Sequence, residues 1–286
     1  MRLGEVVFSH EGYETRFDLG MATKIRSEIL YNLFYKLFDV VHADTPALRD
    51  EAHRIRYQVF CLENKGYEDP AAHPDGLEKD SFDVRADHVL LIYKPTGKPI
   101  GTVRIVKHNE EDWRQSFPLQ SLCGSNYLHD EAYVKNSCEF SRLCISTEYR
   151  RHIKKEIRNL SGVFNFNRKD PFTMYEKPLL NICLSMAPIA LIRGAFEMAI
   201  NNNVLNIFGI MEQKNITRLE NAGLVHEPIG PIMDYHGKRL PFLCNILDVL
   251  DNAMVQNYAV WKIVTVKGYN HKQAIEIYNH LNTPKH

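Results

Sequence analysis

Residues 138–146 read Cys138-Glu139-Phe140-Ser141-Arg142-Leu143-Cys144-Ile145-Ser146, a run of β-formers and thiols with one acid and one base inside it. The pattern predicts a half-buried strand. Two opposite charges in such a strand are costly unless they are paired or used. Strict alternation places Glu139 with Ser141 and Leu143 on one face, and Arg142 with Phe140 and Cys144 on the other. Both charges serve one cleft only if a β-bulge lies between them, and bulges are frequent beside active sites.

Upstream, Ala86 to Tyr93 and Pro99 to Lys107 predict two strands joined by the hairpin signal Pro95-Thr96-Gly97-Lys98. In the second strand Ile100, Thr102, Arg104 and Val106 share a face, so Arg104 points to a largely apolar side and needs a carboxylate. Asp80 or Asp83 is the natural partner, with a structural and a site-organising salt bridge looking alike from sequence. Glu63 to Arg85 is polar, holds Gly66, Pro70, Pro74 and Gly76, and ends in a cluster of Glu78, Asp80, Asp83 and Asp87. It is too irregular for an element and long for a connection, the kind of loop that carries function or closes over a ligand. Thr45-Pro46 marks a helix start before it. The helix carries a core stripe of Leu48, Ala52, Ile55, Val59 and Leu62, with Arg56 and Phe60 as an i,i+4 pair on its flank. Phe38 to Val41 read as a strand, Ala22 to Leu37 as an amphipathic packing helix, and residues 1–20 as a short hairpin or a flexible arm.

In chain order these segments give R-x-x-V-F (Arg56 to Phe60), D-x-x-D (Asp80 to Asp83), G-x-x-R (Gly101 to Arg104) and E-x-x-R (Glu139 to Arg142). The ordered set resembles the acyl-homoserine-lactone (autoinducer) synthases and the related N-acyl amino acid synthases, a branch of the GNAT acyltransferase fold. The resemblance covers about Asp39 to Leu247. It implies an α/β (α+β) fold, a central mixed twisted sheet flanked by helices over 39–247. An N-terminal extension with its helix (1–38) and a C-terminal helical extension (248–286) packed on the domain add further helices.

The resemblance also implies the chemistry. An acyl group would pass from an acyl-carrier-protein thioester, or acyl-CoA, to an amine, with no tightly bound cofactor, no metal and no covalent intermediate. Glu139 would be the general base, working through a water. Arg104 and Arg142, with Asp80 and Asp83, would hold the acceptor and the loop; Arg56 and Phe60 would close over it. Backbone N–H groups around Arg142, Leu143 and Cys144 would stabilise the oxyanion. Tyr67 stands near the place of an acceptor-side tryptophan in the autoinducer synthases. That departure, the insertion at 108–137 and the terminal helices favour the N-acyl amino acid branch, including exosortase-associated acyltransferases, over lactone synthases that use S-adenosylmethionine. A non-catalytic module that binds an acyl carrier or lipid is the alternative of another class.

Downstream, Tyr149 to Lys169 holds Arg150, Arg151, Lys154, Lys155, Arg158, Arg168 and Lys169 against Glu156. GNAT enzymes resembling this chain hold the pyrophosphate of coenzyme A at a glycine-bearing helix start here, but no G-x-G is present. The basic segment instead suits an acidic acyl carrier protein with its phosphopantetheine arm; a solvated basic face is the alternative. Pro178 to Asn201 reads as a buried helix, Val204 to Ile210 as an interior strand, and Asn215 to Ala222 as a helix closed by Gly223. A hairpin follows around Tyr235-His236-Gly237-Lys238, with its second strand at Leu240 to Leu247. Asp248 to Ile263 and Asn270 to Leu281 read as packing or dimerisation helices.

Composition narrows the function classes. Lys+Arg and Asp+Glu number 35 each in 286 residues, so no global charge argues for nucleic acid. The six cysteines form no C-x-x-C and no metal pattern with the histidines, which fits a reducing, cytoplasmic setting. The N-terminus lacks a signal-peptide core, and no window reaches the ~18 apolar residues of a membrane span.

Overall fold

The computed structural model describes residues 5–10, 13–18, 20–159 and 181–282. Strands β1 (Glu5–His10) and β2 (Tyr13–Asp18) form a separate antiparallel hairpin. The main sheet holds eight strands: β3 (Phe38–His42), β4 (Ala86–Tyr93), β5 (Lys98–Lys107), β6 (Ser137–Ile145), β7 (Asn206–Glu212), β8 (Glu227–Pro228), β9 (Met233–Asp234) and β10 (Lys238–Asn245). Their order is β3-β4-β5-β6-β7-β10-β8, with β9 beside β10. Every neighbouring pair is antiparallel except β6 and β7. A parallel pair needs a crossover, which the chain makes through the helices between them.

Two helices precede the β4–β5 hairpin, α1 (Met21–Leu37) and α2 (Pro46–Arg56). The Thr45 side chain caps α2 by accepting from the Leu48 N–H, with Pro46 in its first turn. Beyond Arg56 the helix widens into a π-helical turn, Tyr57–Glu63. The wider turn rotates the inward face, so Cys61 is buried and Leu62, expected in the core stripe, is 47 % exposed. Arg56, expected on a flank, has no exposure at all.

After the sheet's first strands come α3 (Glu131–Lys135), α4 (Thr147–Asn159), α5 (Ala187–Asn201), α6 (Gln213–Asn221), α7 (Ile246–Gln256), α8 (Tyr258–Val264) and α9 (Tyr269–Asn282). The start of the buried helix expected at Pro178, together with Arg168 and Lys169, lies outside the described residues. One face of the sheet packs on α1, α5, α7 and α8 in a single apolar core. The other face is divided. Its α2 side holds Ala52, Ile55, Val59, Leu90 and Cys144, and its 108–137 side holds Phe117, Leu119, Leu128 and Val134 against Val106 and Phe208. The 108–137 insertion therefore roofs half of that face. Among the described residues no helix is long and apolar enough to cross a membrane.

Two irregularities open the sheet between those halves. Thr102 pairs with Cys144 and Arg104 with Ser141, so three steps on β6 oppose two on β5. Arg142 is the extra residue, with φ of 54°, so the bulge lies on the charged strand itself. Gly101 lies against it: a Cβ there would meet the Cys144 carbonyl oxygen at 2.8 Å. Pairing of β6 with β7 covers only Ser137–Phe140 against Asn206–Gly209, while both strands run on. Beyond Phe140 they splay.

Candidate active site

The splay opens into a cleft of about 460 Å³. Its walls are Val59 and Phe60 of the π-turn, Asn64–Tyr67, the bulged stretch Phe140–Cys144, Ile210–Glu212 of β7, Asn215, and His236 and Arg239 of the β9–β10 hairpin. Arg142 and Leu143 have no register partner on β5, and β7 pairing has already ended. The backbone of Arg142 and Leu143 thus departs from the regular ladder beside the cleft.

Behind this wall three arginines meet the acidic loop. The Arg56 Nε donates to Glu78, and its Nη1 and Nη2 donate to the two Asp83 oxygens at 2.7 and 3.1 Å. Arg104 donates through Nη1 to Asp80 at 2.6 Å and Asp83 at 2.9 Å, and through Nε to the Ser141 hydroxyl at 3.0 Å. Arg142 reaches Glu78 through Nε and Nη2 at 3.2 and 3.1 Å, and Asp80 and Glu68 through Nη2 at 3.3 and 3.4 Å. Asp80 and Asp83 also cap each other's short turn, Ser81–Arg85. The expected partners of Arg104 are therefore both present. Burial alone would raise these carboxyls, but Arg56 and Arg142 hold Glu78 down at about 2, and Arg56 and Arg104 hold Asp83 far below the ordinary range.

The structure gathers most of the residues that the sequence singled out around this cleft, with three differences from expectation. Arg56 lies behind the cleft wall, not over the cleft. Glu139 is 1 % exposed and accepts the Leu119 N–H at 2.8 Å under the 108–137 roof, and it does not line the cleft. Burial pushes its carboxyl up to about 7, against the pull of the Leu119 N–H, Arg104 and Arg142. Glu78, named only as one of four clustered acids, is the carboxylate that joins Arg56 to Arg142. The signal was arithmetic: three buried guanidiniums need more than two carboxylates.

Phe60 and Tyr67 do face the cleft. Their rings stack at 4.8 Å, and Tyr67 stacks in turn on His236 at 4.2 Å. The Arg239 guanidinium lies 5.4 Å from the Tyr67 ring and the Arg142 guanidinium 5.7 Å from Phe60. His236 and Arg239 carried no sequence signal, because the hairpin that bears them is distant in the chain. Leu143 and Cys144 line the bulge; burial pushes the Cys144 thiol up to about 12, so it is a neutral packing group.

The basic helix differs from expectation at its start. The Glu63 carboxylate accepts from Ser146 Oγ at 2.5 Å, Thr147 N at 2.7 Å, Thr147 Oγ1 at 2.8 Å and Glu148 N at 3.4 Å. The first turn of α4 thus already holds an anion. Arg151, Lys154 and Lys155 are exposed and Arg150 is half-buried, all away from the cleft; the Arg158 side chain lies outside the described residues. His53, Asp83 and His88 have donor atoms within 4.8 Å of one another, a spacing open to a metal ion. The Asp83 Oδ1 facing both rings already accepts from two guanidiniums, whose charge opposes a cation there.

Residues 55–156 match the family model of the acetyltransferase (GNAT) domain, a stretch running from α2 through the bulge into α4. Among solved structures, FeeM, an N-acyl amino acid synthase from uncultured soil microbes, is 14 % identical with a TM-score of 0.47, over 77 % of this chain and 97 % of that one. BjaI, a CoA-dependent acyl-homoserine lactone synthase, is 16 % identical with a TM-score of 0.48, over 78 % and 89 %. TofI, in a ternary complex with an inhibitor and MTA, is 18 % identical with a TM-score of 0.48, over 78 % and 99 %. No curated protein matches the chain.

Proposed function

We propose that the protein is an N-acyltransferase that moves a long-chain fatty acyl group from a carrier-protein thioester to the amine of an amino acid. The observation that carries this reading is the bulge and splay of β6, which brings the irregular backbone of Arg142 and Leu143 to a cleft that also exposes Phe140 and Met211. Phe140 and Met211 line both the cleft and an apolar hollow formed with Ile192, Phe196, Ile207 and Phe242. That hollow is about 40 Å³, so an acyl chain with its thioester carbonyl at the bulge would have to widen it by parting these side chains. Two oriented donors on the developing oxyanion are typically worth about 3 kcal/mol each.

In the proposed reaction the amine attacks the thioester carbon, the C–N bond forms, and the C–S bond breaks. The bound ammonium first loses one proton through a water towards Glu139, which passes it to solvent; the freed amine then attacks, and its second proton is taken by the departing thiolate. A carboxyl poised near 7 is matched to that task. Coenzyme A carries a diphosphate, and the anion place at the start of α4 is filled by Glu63. A carrier protein asks less of that turn and more of an exposed basic face, which Arg151, Lys154 and Lys155 provide.

The test is mass spectrometry of lipid extracts from cells overproducing the wild type or Glu139→Gln. A new N-acyl amino acid absent from the variant is the expected result. With purified enzyme, kcat/KM should rise with pH through about 7 as Glu139 loses its proton. Turnover surviving in Glu139→Gln with that limb intact would remove Glu139 as the base. An acyl-homoserine lactone would instead identify a lactone synthase, and no new lipid would point to a binding module.

A further inference from the structure

Arg142 and Arg239 both line the cleft, yet their charges are in opposite states. Arg142 is committed to Glu78, Asp80 and Glu68. Arg239 has no carboxylate partner among the described residues: its Nη2 donates to the His236 carbonyl at 3.4 Å, its guanidinium rests on Tyr67, and its buried Nε has no acceptor. A half-buried guanidinium with no carboxylate partner beside a cleft is a ready anchor for one.

Its neighbour supplies the opposite charge. Arg239 on β10 stands directly across from Glu212 on β7, both side chains line the cleft, and the two are not ion-paired to each other. Glu212 meets only Lys214, an exposed residue two positions on in the chain. Side chains opposite one another on antiparallel strands start about 5 Å apart. That spacing suits a ligand whose own two charges sit a few bonds apart. The pair also lies on the β7–β10 side of the splay, across the cleft from the bulged Arg142 and Leu143.

We infer that Arg239 and Glu212 form the acceptor site and read a zwitterionic α-amino acid, Arg239 taking its carboxylate and Glu212 its ammonium group. The inference rests on the acyl-transfer reading and names the acceptor class for it. It moves acceptor binding from Arg104 and Arg142, whose charges are spent inside the protein, to a pair that sequence patterning did not mark.

The experiment uses the full-length chain, a hexadecanoyl carrier-protein thioester, and two acceptor mixtures: the twenty amino acids, and the same compounds lacking the α-carboxylate. Wild type should acylate the amino acids in preference to the amines. Arg239→Gln should lose amino-acid transfer about 100-fold and amine transfer far less, so that the preference for amino acids collapses, with Arg239→Lys retaining part of it. Glu212→Gln should weaken both mixtures. Equal transfer to amino acids by wild type and Arg239→Gln overturns the inference. If the wild type acylates neither mixture, the acyl-transfer reading fails, and saturation-transfer NMR of the amino-acid mixture decides the site alone. Signals lost in Arg239→Gln but kept in Arg239→Lys uphold it, and wild type giving no signals overturns it.

Discussion

Glu78 shows how much depends on one carboxylate. It is 1 % exposed beside Arg56 at 0 %, and it also receives Arg142, so its removal leaves the buried Arg56 Nε without its acceptor, while Arg56 keeps Asp83 and Arg142 keeps Asp80 and Glu68. Breaking a buried pair from one side typically costs about 3–5 kcal/mol. Glu78→Gln should lose that much in denaturant unfolding; a loss below about 1 kcal/mol would mean that Asp83 alone suffices to hold Arg56. The pH sign follows from the same contacts. The carboxyl titrates near 2 in the fold and near 4.5 when unfolded, so its stabilisation is complete above about 4.5 and disappears as pH falls through 2. Sequence made the need for carboxylates visible but not which acid would serve. The choice is set by the loop's path, pinned where the Glu78 N–H donates to the His53 carbonyl at 3.2 Å, and no periodicity encodes that path.

Elements were legible where a physical conflict showed in the pattern. Glu139 and Arg142 on opposite faces of an alternating strand require a bulge if they are to share one cleft; the extra residue falls between Ser141 and Cys144, although Glu139 stays out of the cleft. The π-turn after α2 left no such trace, since its residues continue an ordinary helical stripe, and Leu62 was misplaced for that reason. Its last residue, Glu63, links the turn to α4. By capping four donors it fixes the basic helix relative to the bulged strand. Glu63→Ala should cost about 1–2 kcal/mol, the range of a lost N-cap. Amide hydrogen exchange should quicken most at Thr147 and Glu148, whose N–H groups lose their acceptor. Uniform exchange across α4 would show that the helix start is held by something other than this carboxylate.

At the scale of the whole molecule, the resemblance ended near Leu247, and the helices beyond it could be read only as packing or dimerisation elements. Their amphipathic pattern revealed that they have an apolar face but not what covers it. The structure turns those faces inward: Val260, Trp261, Ile263 and Val264 are buried in the same core as α5 and the sheet, and α8 packs against α1, α5 and α7. Trp261 is 3 % exposed, and its indole N–H donates to the buried His271. The core behind the splayed strands is thus closed by the chain's last segments, and the cleft geometry depends on it. Trp261→Ala should destabilise the protein by about 3–5 kcal/mol, the cost of a large buried aromatic. A chain ending at Gln256 should lose its cooperative melting transition altogether, because the sheet face would expose α5 and α7 to water. Thermal melts by circular dichroism would decide the matter. If the shortened chain melts cooperatively near the wild-type temperature, α8 and α9 are dispensable to the core, and their buried faces need another explanation.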